Sequence, residues 1–274
     1  NLGGAALGAP AALTDPVQSF ESISSADFDG DGDLDLYGTR IPFSGSSPGV
    51  WFENLGSGVL GRPREIPEGV AADFDGDGDA DILGDGVDVT HHENLGQGLF
   101  GPPQLIIQNP PPTSTSSYWT TVDPADVDGD GSMDFLAVSS RWMEFSPWPY
   151  GIAEWFEYQE DGTFAGYALE PSVFLDAVDR LTVGDIDGDG IPDVLAGIEA
   201  AFPPDYFVWL ENHGDGEFDT THDLPVQGNG WPIAVLDLDG DGDGDLRIGA
   251  SWYENQGAGT FGAARSFTGD GLSP

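Results

Sequence analysis

The stretch Asp27-Phe28-Asp29-Gly30-Asp31-Gly32-Asp33-Leu34-Asp35 decides how this chain is read. It places carboxylates at positions 1, 3, 5 and 9 and a Gly at position 6, the pattern D-x-D-x-D-G-x-x-D. The same pattern returns at Asp73 to Asp81, Asp126 to Asp134, Asp185 to Asp193 and Asp237 to Asp245. Successive starts lie 46, 53, 59 and 52 residues apart. A fixed period of that length marks a repeat architecture, in which each unit buries its faces only against its neighbours.

Two further signatures keep step with the loops. One is Trp51-Phe52-Glu53-Asn54, His91-His92-Glu93-Asn94, Trp155-Phe156-Glu157-Tyr158, Trp209-Leu210-Glu211-Asn212 and Trp252-Tyr253-Glu254-Asn255. The other is a Gly-rich turn followed by an aromatic or apolar residue, as in Gly58-Val59-Leu60-Gly61 and Gly259-Thr260-Phe261-Gly262. Alternating apolar residues, β-branched and aromatic content, and flanking Gly, Pro and Asn predict four short strands per unit. In the first unit strands A to D are expected over about 22–28, 34–38, 50–54 and 60–66. No segment carries a sustained helical period.

The expected fold class is therefore all-β, a β-propeller of five recognisable four-stranded blades, closed alone or part of a larger propeller. One domain spans 1–274, with a spare outer strand over 1–15 and blades over 20–67, 68–108, 118–172, 178–226 and 231–267. The recurrent Trp51, Trp155, Trp209 and Trp252 are expected in the cores between blades. His91 and His92 replace the aromatic pair in blade 2 and are expected in a partly exposed strand. His213 and His222 show no ligand spacing.

The loops predict calcium. Ca²⁺ takes six to eight hard oxygen ligands, and carboxylates at alternate positions of a tight loop converge on one point. Asp27, Asp29, Asp31 and Asp35 are the carboxylate ligands expected in the first loop, and Asp73, Asp75, Asp77 and Asp81 in the second. Asp126, Asp128, Asp130 and Asp134, then Asp185, Asp187, Asp189 and Asp193, then Asp237, Asp239, Asp241 and Asp245 complete the set. Position 7 varies between Asp33, Asp79, Ser132, Ile191 and Asp243, as expected if only its carbonyl binds. Ile191 sharpens that inference, since its side chain cannot coordinate. About five ions are expected, with a structural role, because four clustered carboxylates repel one another without a cation.

The Asp loop, the aromatic-Glu-Asn strand and the Phe-Gly strand together resemble the FG-GAP/VCBS repeat of integrin α-subunit propellers and many secreted bacterial proteins. The resemblance runs from about residue 21 to 267. It implies a β-propeller with calcium in the A–B hairpins and an extracellular or cell-surface setting. Integrin-like propellers have seven blades, whereas five are counted here.

Composition excludes several classes. Against 49 acidic residues stand 7 basic ones, all Arg, for a net charge of -42, which repels nucleic acid and anionic membranes. Beyond the twenty loop carboxylates, 29 acidic residues still face 7 Arg, an excess that a saline habitat or plain solubility would explain. There is no Cys, hence no disulfide framework or thiolate metal site. No apolar run reaches membrane-spanning length, so membrane insertion is not expected. The start at Asn1 rather than Met is expected of a processed or excised piece.

A–B and C–D loops share one face of a propeller, and the longer insertions should project from the other. The B–C insertion over 139–154 carries Arg141, Trp142, Phe145, Trp148 and Tyr150, an aromatic set suited to stacking on a glycan or peptide. The leading expectation is a non-catalytic binding or adhesion module for a glycan or protein ligand. The alternative is a polysaccharide-active enzyme resembling the lyase-type propellers, with Tyr150 or His92 as base and Arg141 as neutraliser. A third reading starts from Asn1-Leu2-Gly3-Gly4, which resembles Asn54-Leu55-Gly56-Ser57. That spare strand would extend blade 5, continue a longer propeller, or pair with another molecule and so drive self-association.

Overall fold

Short alternating strands bounded by Gly and Pro leave the backbone few options besides antiparallel hairpins. In a computed structural model the chain forms five four-stranded antiparallel sheets, each with its strands in sequence order. The structure describes residues 20–40, 48–85, 88–108, 116–143, 150–169, 177–199, 206–214, 216, 218, 220–227 and 233–266. Blade 1 comprises β1 (Phe20–Ala26), β2 (Asp35–Arg40), β3 (Gly49–Phe52) and β4 (Arg64–Ile66). Blade 2 comprises β5 (Val70–Ala72), β6 (Asp81–Gly84), β7 (Val89–His92) and β8 (Gln104–Ile107). Blade 3 comprises β9 (Ser116–Ala125), β10 (Asp134–Met143), β11 (Tyr150–Tyr158) and β12 (Phe164–Ala168). Blade 4 comprises β13 (Ala177–Gly184), β14 (Asp193–Glu199), β15 (Tyr206–Glu211) and β16 (Thr220–Gln227). Blade 5 comprises β17 (Ile233–Leu236), β18 (Asp245–Ile248), β19 (Ser251–Tyr253) and β20 (Arg265–Ser266).

Consecutive blades meet through their first strands, β1 on β5, β5 on β9, β9 on β13 and β13 on β17, which sets strand A innermost in the ring. This is a five-bladed β-propeller. Apolar residues alternate along the strands so that each sheet offers one face to the blade before and one to the blade after. Four hydrophobic clusters result, each shared by two neighbours. Phe28, Tyr37, Trp51 and Ile66 of blade 1 enclose Ala80 and Ile82 of blade 2. Phe74, Leu83 and Val89 meet Phe135, Ala137 and Phe156. Leu136, Val138 and Trp155 meet Val194, Ala196 and Phe218. Leu195, Phe207 and Trp209 meet Leu246 and Ile248.

Strand D is shorter than its sequence suggests. Leu60 makes an isolated bridge to Asn54, the chain leaves the ladder, and pairing resumes only at Arg64. Pro63 explains the gap, since it has no N–H to give the ladder. Blade 3 departs in the opposite sense. Much of the expected B–C insertion is strand: β10 and β11 pair from Phe135 with Phe156 out to Arg141 with Tyr150. No helix among the described residues is long and apolar enough to cross a membrane.

Candidate metal centre and the blade junctions

Each Asp loop is wound by its own carboxylates. In the first, Asp27 accepts from the Gly30 N–H through Oδ1 and the Gly32 N–H through Oδ2, both at 2.8 Å. Asp31 accepts from the Asp33 N–H at 2.9 Å. Gly32 lies at φ +89°, a left-handed conformation that a residue with a Cβ adopts only at a cost. Both bonds recur in three other loops, Asp73 with Gly76 and Gly78, Asp185 with Gly188 and Gly190, and Asp237 with Gly240 and Gly242, and Asp126 takes the Gly131 N–H.

Curling the backbone this way points the carboxylates inward. Asp27, Asp29 and Asp35 bring one oxygen each within 4.8 Å of the others, as do Asp126, Asp128 and Asp134, and Asp185, Asp187 and Asp193. Asp73, Asp75 and Asp77 form the corresponding group in blade 2, and Asp237, Asp239 and Asp241 in blade 5. Positions 1 and 3 therefore converge in all five loops. Position 9 joins them in three and position 5 in two. The side chains at position 7 stay out of these groups: Asp79 is buried, Asp243 lies against Gly188, and Ile191 packs against Gly214.

Position 9 does more than the sequence suggests. Asp35, Asp81, Asp134, Asp193 and Asp245 are all buried, and both oxygens of each accept backbone N–H bonds. Asp35 takes Phe28 N–H at 3.1 Å and Asn54 N–H at 2.6 Å, with the Trp51 indole N–H at 2.8 Å as a third donor. Asp193 takes Ile186 and Asn212, and Asp134 takes Val127 and Tyr158. This carboxylate ties its loop to strand C of the same blade.

Electrostatics bear the mark of crowded anions. Burial first, and then Asp128 and Asp130, push the Asp134 carboxyl up to about 7 despite its two N–H donors. Burial and Asp187 push Asp193 up to about 6, and burial with Asp77, Asp81 and Asp75 pushes Asp79 up to about 7. Asp29, Asp75, Asp128, Asp187 and Asp245 move in the same direction, in each case mainly through burial. Asp29 Oδ1, Asp79 Oδ1 and Asp126 Oδ1 are buried without any hydrogen-bond partner. An anionic oxygen shut away from water with no donor is strongly unfavourable, and a hard cation would relieve it. The donor set fits a divalent ion with oxygen preference, held by positions 1, 3, 5 and 9.

The loops also join the blades. Asn94, two residues beyond β7, donates through Nδ2 to Phe28 O of blade 1 at 2.9 Å and to Ala80 O of its own blade at 3.0 Å. Asn212 bonds to Val127 O and Pro192 O, and Asn255 to Ile186 O and Gly244 O, in the same way. Each reaches the position-2 carbonyl of the preceding blade's Asp loop. The strand-C Trp reaches forward in turn. A Cβ on Gly98, Gly216 or Gly259 would lie 2.1–2.3 Å from the ring of Trp51, Trp155 or Trp209, and all three glycines have φ near +68°. Asp loops and C–D turns therefore share one face and hold the ring there.

Other expected residues fall as follows. His91 is buried, not partly exposed: its ring packs edge-on against Phe74 and Phe164, and Nε2 lies 3.3 Å from Asp81 Oδ2. It takes the place of Trp because its ring reaches the position-9 carboxylate of its own blade, Asp81, as the Trp51 indole reaches Asp35. His92, 3.3 Å from Thr90 Oγ1, is half-buried and its pKa is lowered by burial and by His91. His222 stacks on Trp209 at 4.2 Å and meets Glu211 at 2.8 Å. That is one case of a rim pattern the sequence did not reveal, in which a strand-D residue covers the Trp and bonds the following Glu. Arg64 does so over Trp51 and Glu53, Tyr167 over Trp155 and Glu157, and Arg265 over Trp252 and Glu254. Arg141 and Tyr150 are paired residues of β10 and β11, and Trp142 pairs with Ser117 of β9. Phe145 and Trp148 lie outside the described residues, as do 1–15 with the spare strand.

Fold and loops together define a β-propeller with one acidic hairpin per blade. Residues 73–137, from the Asp loop of blade 2 into β10 of blade 3, match the family model of the FG-GAP-like repeat. That match and the five-bladed architecture support an FG-GAP repeat propeller. No curated protein matches the chain significantly.

Proposed function

We propose that this chain is a calcium-stabilised binding or adhesion module, secreted or at a cell surface, that takes a glycan or protein ligand on the face away from its Asp loops. The observation that carries the reading is the use of the loops as joints. Their buried position-9 carboxylates hold strand C, and at three junctions their position-2 carbonyls hold the next blade, so an ion at each loop would stiffen the ring and leave the opposite face for recognition. The β10–β11 hairpin supports that choice of face. Its strands have 10 and 9 residues against 4 and 3 in blade 5, and the excess runs away from the Asp loop toward Arg141, Trp142 and Tyr150. A glycan array run in calcium and in chelator tests it. Calcium-dependent binding that is lost in Trp142→Ala supports the module, and an array without binders argues against a glycan ligand.

One observation favours a second reading. Arg141 stands opposite Tyr150 in the ladder, the cation and phenol that β-elimination on an acidic polysaccharide would use. Release of unsaturated oligosaccharides by the purified chain, abolished in Tyr150→Phe, would replace the binding reading with this one.

A further inference from the structure

Three of the four junctions between blades, 1 with 2, 3 with 4 and 4 with 5, have two halves. The leading blade supplies the position-2 carbonyl of its Asp loop and a strand-C ring. The following blade supplies an Asn Nδ2 and a turn Gly, as with Phe28 O and Trp51 against Asn94 and Gly98. Blade 1 carries a following half that nothing in the described residues meets. Asn54 Nδ2 bonds to Leu34 O of its own blade, and no atom lies within 4 Å of a Cβ built on Gly58. Ile23 is 57% exposed, although Val122 and Ile233 at the same place in blades 3 and 5 pack on the preceding blade. Beside it Phe20, Ile23, Leu36 and Phe52 line a shallow apolar groove.

Blade 5 carries the matching leading half. Leu238 is 39% exposed, whereas Phe28, Phe74, Val127 and Ile186 at that position are fully buried. Leu236 is 45% exposed, whereas Ala26 and Ala125 sit in junction cores. Residues 1–19 contain neither an Asp loop nor a Trp, so they cannot supply the missing half to blade 1. Blade 5 of the same chain could, but Ile23 on one face and Leu236 and Leu238 on the other stay exposed.

We propose that blade 1 receives blade 5 of a second copy, so that the molecules associate head to tail through a fifth junction, of the kind already present three times within the chain. Such a contact is heterologous and either closes a ring of copies or extends it. It is also reversible. Arg247 occupies the position of the buried Tyr37, Leu83, Leu136 and Leu195, which makes this face more polar than an internal junction. A charge of -42 on each copy opposes approach until salt or calcium screens it.

Sedimentation velocity on the full chain in calcium and about 0.15 M salt tests the proposal. The wild-type mass should rise with concentration from 28.9 kDa toward multiples of it. Ile23→Asp and Leu236→Asp lie outside the Asp loops, and each should stay monomeric while keeping the wild-type circular dichroism. Mixed in equal amounts they should form one dimer and nothing larger, because each retains the half the other has lost. A wild-type chain that stays at 28.9 kDa at every concentration, as closure within one chain would give, overturns the proposal. So does a mixture of the two variants that forms no dimer.

Discussion

Replacing Asn94 by Ala should cost far more than the same change at Asn54, although both occupy the same place in the repeat. The Asn94 side chain is buried and makes three bonds, from Nδ2 to Phe28 O and Ala80 O, and to Oδ1 from the Gly96 N–H at 3.2 Å. Each is worth about 1 kcal/mol net, and the groups left behind are shut away from water, which raises the loss to about 3–5 kcal/mol in all. Asn54 keeps only the two bonds within its own blade, to Leu34 O at 3.0 Å and from the Gly56 N–H at 3.1 Å. It is half-exposed, so water replaces what the mutation removes and the expected loss is about 1 kcal/mol. Equilibrium urea denaturation in saturating calcium, followed by tryptophan fluorescence at low protein concentration, measures both. Asn212→Ala and Asn255→Ala should resemble Asn94→Ala. Equal losses at Asn54 and Asn94 would refute the assignment of the Asn as the pin between blades.

Gly259→Ala should destabilise by about 2–4 kcal/mol, because the new Cβ meets Trp209 and φ is +67°. Gly58→Ala, at φ +76° with open space around it, should cost about 1–2 kcal/mol, and the same denaturation series separates them. In chelator, stability should rise as pH falls from about 8 to about 5. Asp134, Asp79, Asp193 and Asp123 have folded-state values pushed up to about 7, 7, 6 and 6, so the folded chain binds protons that the unfolded chain, titrating near 3.8, does not. The contribution is whole below pH 4 and lost as pH climbs through 6 to 7. With calcium present the dependence on Asp134 and Asp193 should reverse, since protons then compete with the ion at these two loop positions. Thermal melts across pH with and without chelator show either the crossing or its absence.

The loops were legible because Asp and Gly at fixed offsets leave the backbone little choice, and five repetitions removed accident. The strand-C Trp residues were legible for the same reason. The role of Asn94 was not, since its carbonyl partner sits 66 residues away in sequence and only the packing of blade on blade brings it near. His91 reads as partly exposed because His seldom fills a core, and the position-9 carboxylate that admits it, here Asp81, is common to every blade. The length of the β10–β11 hairpin was hidden by Ser139, Ser140 and the aromatic run, which look like loop until the ladder is drawn. Position 9 was recognised as a ligand but not as the tie to strand C, a role that residue type alone does not announce.

In the proposed module five Asp loops each hold one calcium ion as part of the scaffold. Equilibrium dialysis of chelator-stripped protein against about 10 mM calcium, followed by metal analysis, tests it most directly, because modules of this kind bind at about 10⁻⁴–10⁻³ M. About five ions per chain should be found, each adding about 1.4–2.7 kcal/mol to stability at that concentration. A chain that emerges without bound calcium, folded and equally stable in chelator, would contradict it.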